Sequence, residues 1–146
     1  MSINHDNIEN TPINFDEKLT LPDISLRTTH KKKNITPGDP TLDTAHIHDD
    51  FEIYLHVSGS CSFFVNNSIY HLQRGDIILT RPGDVHFLII DQASVNEHFC
   101  LWFAPACGKE LFSFIESDFS PHVSFSPETQ DTLIPLFFEL AKHGTV

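Results

Sequence analysis

The sequence predicts a mainly β fold, an antiparallel sandwich or barrel followed by two helices. Three observations carry this. Between residues 44 and 104 the chain breaks into short apolar runs about 8–12 residues apart, with turn residues and no helix between them. Beyond residue 105 the apolar period becomes helical. At 146 residues the chain is one domain long and can bury a core without disulfide staples.

Residues 1–22 show no apolar period, carry Pro12 and Pro22, and read as a mobile N-terminal arm. A barrel domain is expected over 23–104 and a helical segment over 105–146. Ile24–Thr29 is a candidate first strand. Lys31, Lys32 and Lys33, with the turn-rich Thr36-Pro37-Gly38-Asp39-Pro40 after them, read as a solvated loop rather than a phosphate site. Phe51–Val57 alternates, with Phe51, Ile53, Leu55 and Val57 against Glu52, Tyr54 and His56, and Gly59 ends it. Cys61–Val65 and Ile69–Leu72 flank Asn66-Asn67, two residues that tolerate the positive φ of a tight hairpin. Gly75-Asp76 turns the chain into Ile77–Thr80. Arg81-Pro82-Gly83-Asp84 then places Pro and Gly where a type II turn needs them. His86–Ile90 and His98–Phe103 complete the strands.

The first expected helix, Gly108–Ser117, sets Leu111, Phe112, Phe114 and Ile115 at helical spacing. Ser126 reads as the N-cap of the second, with Pro127 at its first position. Leu133, Leu136, Phe137 and Leu140 share a face there, and Pro135 is expected to kink or break the helix. That apolar face also makes a homodimer the expected assembly.

Twenty acids against nine bases give a formal charge of −11, which argues against free-standing nucleic-acid binding and against docking on an anionic membrane. No stretch approaches the length of a membrane span, and no signal-peptide core opens the chain. Cys61, Cys100 and Cys107 are odd in number and form no Cys-x-x-Cys pair, so buried thiols in a reducing cytoplasm are the plain reading.

Ten histidines are unusual in a chain this size. His46 and His48 are two apart and point the same way on an extended chain; Glu52 has the same parity, and His86 follows the Pro-Gly turn. Three imidazoles and one carboxylate make a ligand set for one divalent first-row metal: zinc, nickel, iron or manganese. Structural histidines satisfied by hydrogen bonds and water are the competing reading. No Gly-x-Ser-x-Gly elbow, phosphate loop or dinucleotide fingerprint is present.

His46-Ile47-His48, Glu52 and Gly59, followed by Gly75-Asp76, Pro82-Gly83 and His86, resemble the two motifs of the cupin superfamily. The string "DDFEIYLHVSGSCSFFVNNSIYHLQRGDIILTRPGDVHFLI" and the later "EHFCLWFAP" are similar to the N-terminal sensor and dimerisation domains of AraC-type transcription regulators. This resemblance spans roughly residues 40–140. It implies a double-stranded β-helix, a jelly-roll barrel that binds a small effector such as a sugar or other polar metabolite. It also implies a DNA-binding domain beyond the helical segment, so that DNA would be reached only through that further domain. The same quartet would serve a metal-dependent cupin enzyme, the alternative to a non-enzymatic sensor.

Pattern and resemblance conflict on one point. Alternation alone buries Phe51, Ile53, Leu55 and Val57. The resemblance instead turns the even positions into the cavity, which His46, His48, Glu52, Tyr54, His56 and His86 would line, with Tyr54, His56 and the three quartet histidines as ligand contacts. Both hold if the C-terminal helices cover the odd face. Tyr54, Tyr70 and Trp102 are candidates to stack on a sugar ring, with core packing the preferred role for Trp102.

Overall fold

The computed structural model describes residues 26–39, 44–106 and 120–143. The expected N-terminal arm, the helix over Gly108–Ser117 and Cys107 lie outside them. One long helix falls among the described residues, where two helices were expected.

Among the described residues, eight strands form two antiparallel sheets. The larger has the order β1-β7-β2-β5-β8, from β1 (Leu26–Ile35), β7 (Ser94–Phe103), β2 (Phe51–Ser58), β5 (Ile77–Thr80) and β8 (His122–Val123). The smaller runs β4-β3-β6, from β4 (Ser68–His71), β3 (Cys61–Val65) and β6 (His86–Ile90). The expected runs at Cys61–Val65, Ile77–Thr80 and His86–Ile90 are strands with those bounds. Asn66 takes a φ of 52° in the β3–β4 hairpin. Gly83 takes 82°, and the Asp84 N–H donates to the Arg81 carbonyl at 3.0 Å, closing the expected turn.

Two strands are longer than the sequence predicts. β1 continues through the three lysines to Ile35 and pairs with β7 along its whole length, from Leu26↔Phe103 to Ile35↔Ser94. The lysine run is therefore strand, not loop. Among the described residues β1 is a sheet edge with one neighbour, where lysines are well placed to discourage pairing with another chain. β7 correspondingly starts at Ser94. The short β8, paired to β5 through Ile77↔Val123 and Ile78↔His122, has no signature in the sequence.

Both faces of β2 are covered. Between the sheets, Tyr54, Ile78 and Cys100 pack with Cys61, Phe63, Val65, Leu88 and Ile90. On the outer face, Leu55, Val57 and Phe99 pack with Ile134 and Phe137 of α1 (Pro127–His143). The orientation conflict therefore resolves as both: the even positions face inward and the odd ones lie under the helix.

Ser126 caps α1, its Oγ accepting from the Thr129 N–H at 3.4 Å. Pro135 does not break the helix, which continues to His143. Pro135 costs the Asp131 carbonyl its helical donor, and both residues are exposed, on the side of the helix that faces solvent. The buried stripe is Ile134 and Phe137, flanked by Leu133, Phe138 and Ala141; Leu136 and Leu140 face outward, contrary to the expected stripe. Cys61 and Cys100 are buried thiols. No helix among the described residues is long and apolar enough to cross a membrane.

Candidate functional site

Cross-strand register builds the site. Glu52 of β2 lies opposite Trp102 of β7, and Tyr54 opposite Cys100. On the other side of β7, Arg27 of β1 lies opposite Trp102, Thr29 opposite Cys100 and Lys31 opposite His98. Residues directly opposite one another share a sheet face. One face of three strands thus gathers Glu52, Tyr54, His98, Cys100, Trp102, Arg27 and Lys31. Phe63 and Leu88 of the smaller sheet close the other side of a cavity of about 400 Å³.

The quartet sits at one end of it. His46 and His86 form a bridge in which each backbone N–H donates to the other's carbonyl, at 3.2 and 3.1 Å. The Gly83 N–H donates to the His48 carbonyl at 3.0 Å, tying the Pro-Gly turn to the same segment. The imidazole centroids of His46 and His86 are 4.3 Å apart, and those of His48 and His86 4.8 Å. One potential ligand atom from each of His46, His48, Glu52 and His86 lies within 4.8 Å of all the others.

The proton positions follow from chemistry. Each Nδ1 of the three histidines is bonded to a backbone carbonyl: His46 to Thr44 at 2.9 Å, His48 to Asp50 at 3.0 Å, His86 to Asp84 at 2.8 Å. A carbonyl only accepts, so every Nδ1 carries a hydrogen and every neutral ring presents the lone pair of Nε2. That is how a metal-ligating histidine is oriented by its surroundings. Yet His48 Nε2 lies 2.7 Å, and His86 Nε2 3.2 Å, from the same Glu52 oxygen. A lone pair and a carboxylate at these distances repel unless a positive charge lies between them. A proton on the ring supplies it, or a metal ion in its place. The donor set and its orientation fit a divalent metal.

The electrostatics agree. The bond to Glu52 is the largest influence on His48 and raises its pKa, against the opposing effect of burial. Burial acts to raise Glu52, but the bonds from His48 and His86 outweigh it, and the carboxyl is held well below the usual range. Deeper in the wall, burial pushes the Cys100 thiol and the Tyr54 hydroxyl up. Burial, with Lys31 as a lesser cause, drives His98 down to about 4.

Five of the six expected cavity residues line it: His46, His48, Glu52, Tyr54 and His86. His56 does not. It is 1% exposed, with Nε2 bonded to the Gly59 carbonyl at 3.0 Å and Nδ1 3.4 Å from the Tyr54 hydroxyl. Its parity is inward, but both ring nitrogens face protein atoms and it lies outside the cavity wall. Tyr70 packs near His122 and is not part of the cavity wall. Trp102 lines the cavity as well as touching the core, with the Arg27 guanidinium 4.3 Å above its ring. Arg27, Lys31, His98 and Cys100 were not foreseen as cavity residues. The even positions of β7 carried a faint signal, since His98, Cys100 and Trp102 alternate with Phe99 and Leu101.

The profile described as the AraC-like ligand binding domain matches residues 36–140. No curated protein matches the chain. Among solved structures the chain is similar to an RmlC-like cupin family protein with a double-stranded β-helix fold from Methanocaldococcus jannaschii, at 11% identity and a TM-score of 0.47, covering 60% of this chain and 75% of that one. It is similar to a cupin protein from Bacteroides fragilis at 18% identity and a TM-score of 0.44, covering 54% and 67%. It is also similar to Bacillus subtilis oxalate decarboxylase at 16% identity and a TM-score of 0.44, covering 53% of this chain but only 21% of the decarboxylase.

Proposed function

Because the chain belongs to the AraC-like ligand binding domain family, we propose that the cavity between its sheets is the effector site of a transcription regulator's sensor domain, and that His46, His48, Glu52 and His86 hold a divalent metal beside it. The observation that carries this is the convergence of the quartet on one end of a cavity within the family's ligand-binding span. About 400 Å³ suits a small polar metabolite. His46, His48, His86 and Tyr54 are the proposed ligand contacts.

The chain's own residues divide the work. The Nδ1 bonds to Thr44, Asp50 and Asp84 keep three Nε2 atoms aimed inward. Glu52, buried among them, supplies the negative charge that a cation needs. A bound metal would add a Lewis-acidic anchor for an oxygen of the effector. Signalling then requires only that the effector bind one arrangement of the domain better than another. In this reading the domain dimerises and acts on DNA through a further domain of the regulator, in the cytoplasm, without catalysing a reaction.

The test has two arms, on protein purified without a nickel column. Calorimetric titration with zinc, manganese and nickel is expected to show one equivalent bound, with affinity at least about tenfold weaker in Glu52→Gln and His86→Ala. A thermal-shift screen of small polar metabolites is expected to yield a ligand whose stabilisation is lost in Tyr54→Ala. A ligand indifferent to Tyr54, or no ligand at all, refutes the effector site. Equal metal affinity in the wild type and both variants refutes the quartet.

A further inference from the structure

The cavity wall is electrostatically out of character with the chain. The protein carries 20 acids against nine bases. Its cavity is lined by two fixed cations, Arg27 and Lys31, and a single carboxylate, Glu52, which already faces two imidazoles at 2.7 and 3.2 Å. Both cations are on β1, at positions of one parity, and both line the cavity while remaining exposed. Among the described residues neither makes an ion pair, although the neighbouring Lys32 and Lys33 pair with Glu97 and Asp39. Parity separates the roles: Arg27 and Lys31 face the cavity, while Lys32 pairs with Glu97 instead.

Arg27 is also positioned. Its guanidinium carbon lies 4.3 Å from the centroid of the Trp102 ring, a cation–π contact that holds the group beside the cavity wall. Arg27, Trp102 and Glu52 share one cross-strand row, so the Arg27 and Glu52 backbones are two strand spacings apart, about 10 Å. A small molecule anchored among the histidines therefore reaches the arginine. Lys31 stands four residues along β1, roughly 13 Å away at the backbone, opposite His98, and adds its charge to the same cavity wall.

We infer that the effector is a small anion, a carboxylic acid or a phosphate ester, whose acidic group is held by Arg27, with Lys31 as a second cation, while its polar end lies against the histidine quartet. This inference rests on the effector reading above and specifies its ligand class. A planar guanidinium meets an oxyanion through two parallel charge-assisted hydrogen bonds, which are roughly twice as strong as bonds to neutral groups. Among the described residues neither cation has an ion-pair partner, and a neutral sugar would supply none.

The test uses matched acid and neutral pairs on the full chain: L-malate against erythritol, and glucose 6-phosphate against glucose. Calorimetry gives the affinities. Trp102, the only tryptophan, gives an emission signal from the site itself. The expected result is that at least one acid binds roughly tenfold or more tightly than its neutral partner, weakens by about tenfold in Arg27→Gln and less in Lys31→Gln, and loses affinity with added salt. Both variants alter exposed side chains, and their circular dichroism is expected to match the wild type. A neutral partner that binds as well as its acid, or acid affinity unchanged in Arg27→Gln, overturns the anionic assignment and leaves the effector site standing. If neither pair binds and the metabolite screen yields only a neutral ligand, the inference again falls alone. If the screen yields no ligand, both fall together.

Discussion

Acid should loosen this domain through one side chain, His98. It is 5% exposed in the cavity wall, its Nδ1 2.6 Å from the Asn96 side-chain oxygen and its ring stacked on Tyr54 with centroids 4.9 Å apart. Burial holds its pKa at about 4 against 6.5 in the unfolded chain. Between those values the unfolded state binds a proton that the folded state refuses, so stability falls as pH falls. At 1.36 kcal/mol per pH unit the gap amounts to about 3 kcal/mol by pH 4, most of it already lost at pH 4.5. His56, also lowered by burial, adds to the same slope. His48 opposes it only at the top of the range: its pKa is raised, so its contribution grows as pH falls towards 6.5 and is constant below that. Urea unfolding at pH 7, 6, 5 and 4.5, with a chelator present, measures the slope. In His98→Asn, where an amide N–H stands in for Nδ1, the smaller side chain lowers stability by a constant, but the loss between pH 7 and 4.5 should shrink by about 2–3 kcal/mol. Parallel pH profiles for the wild type and the variant would refute the reasoning.

Two further outcomes test how the cavity is framed. Gly75 takes a φ of 82°, and a Cβ there would meet Gln130 Cγ at 2.4 Å; Gly75→Ala should cost about 1–3 kcal/mol in chemical denaturation, since helix α1 sits against that turn. Phe137→Ala should cost roughly 3–5 kcal/mol because Phe137 packs on Phe99 beneath the sheet, whereas Leu136→Ala, one residue earlier and 56% exposed, should stay within about 0.5 kcal/mol; equal losses would mean that the helix is rotated from the described packing.

What could be read in the sequence was local. His46, His48, Glu52 and His86 were legible because each lies beside a turn residue or shares a parity with its neighbour, and the spacing of Gly59, Gly75 and Gly83 marked the hairpins between them. The cationic side of the cavity was not legible, and the reason is register. Arg27 reaches the site only because β1 pairs with β7 so that Arg27 faces Trp102, and β7 pairs with β2 so that Trp102 faces Glu52. Slipping either pairing by one residue would turn Arg27 and Lys31 to the outer face and bring Lys32 inward. No periodicity within β1 specifies that choice, since its lysines are consecutive and read equally well as a loop. The outward turn of Leu136 and Leu140 has a similar origin. Helical spacing showed that α1 is amphipathic, but Ile134 and Phe137 were chosen for burial by the shape of the sheet beneath, where Leu55, Val57 and Phe99 stand. The metal-competent end of the cavity is thus written in short motifs, while the end that faces Arg27 and Lys31 exists only after three strands have aligned. Family motifs report the first. The charge that selects an effector comes from the second, and there a single strand register determines which lysine the ligand meets.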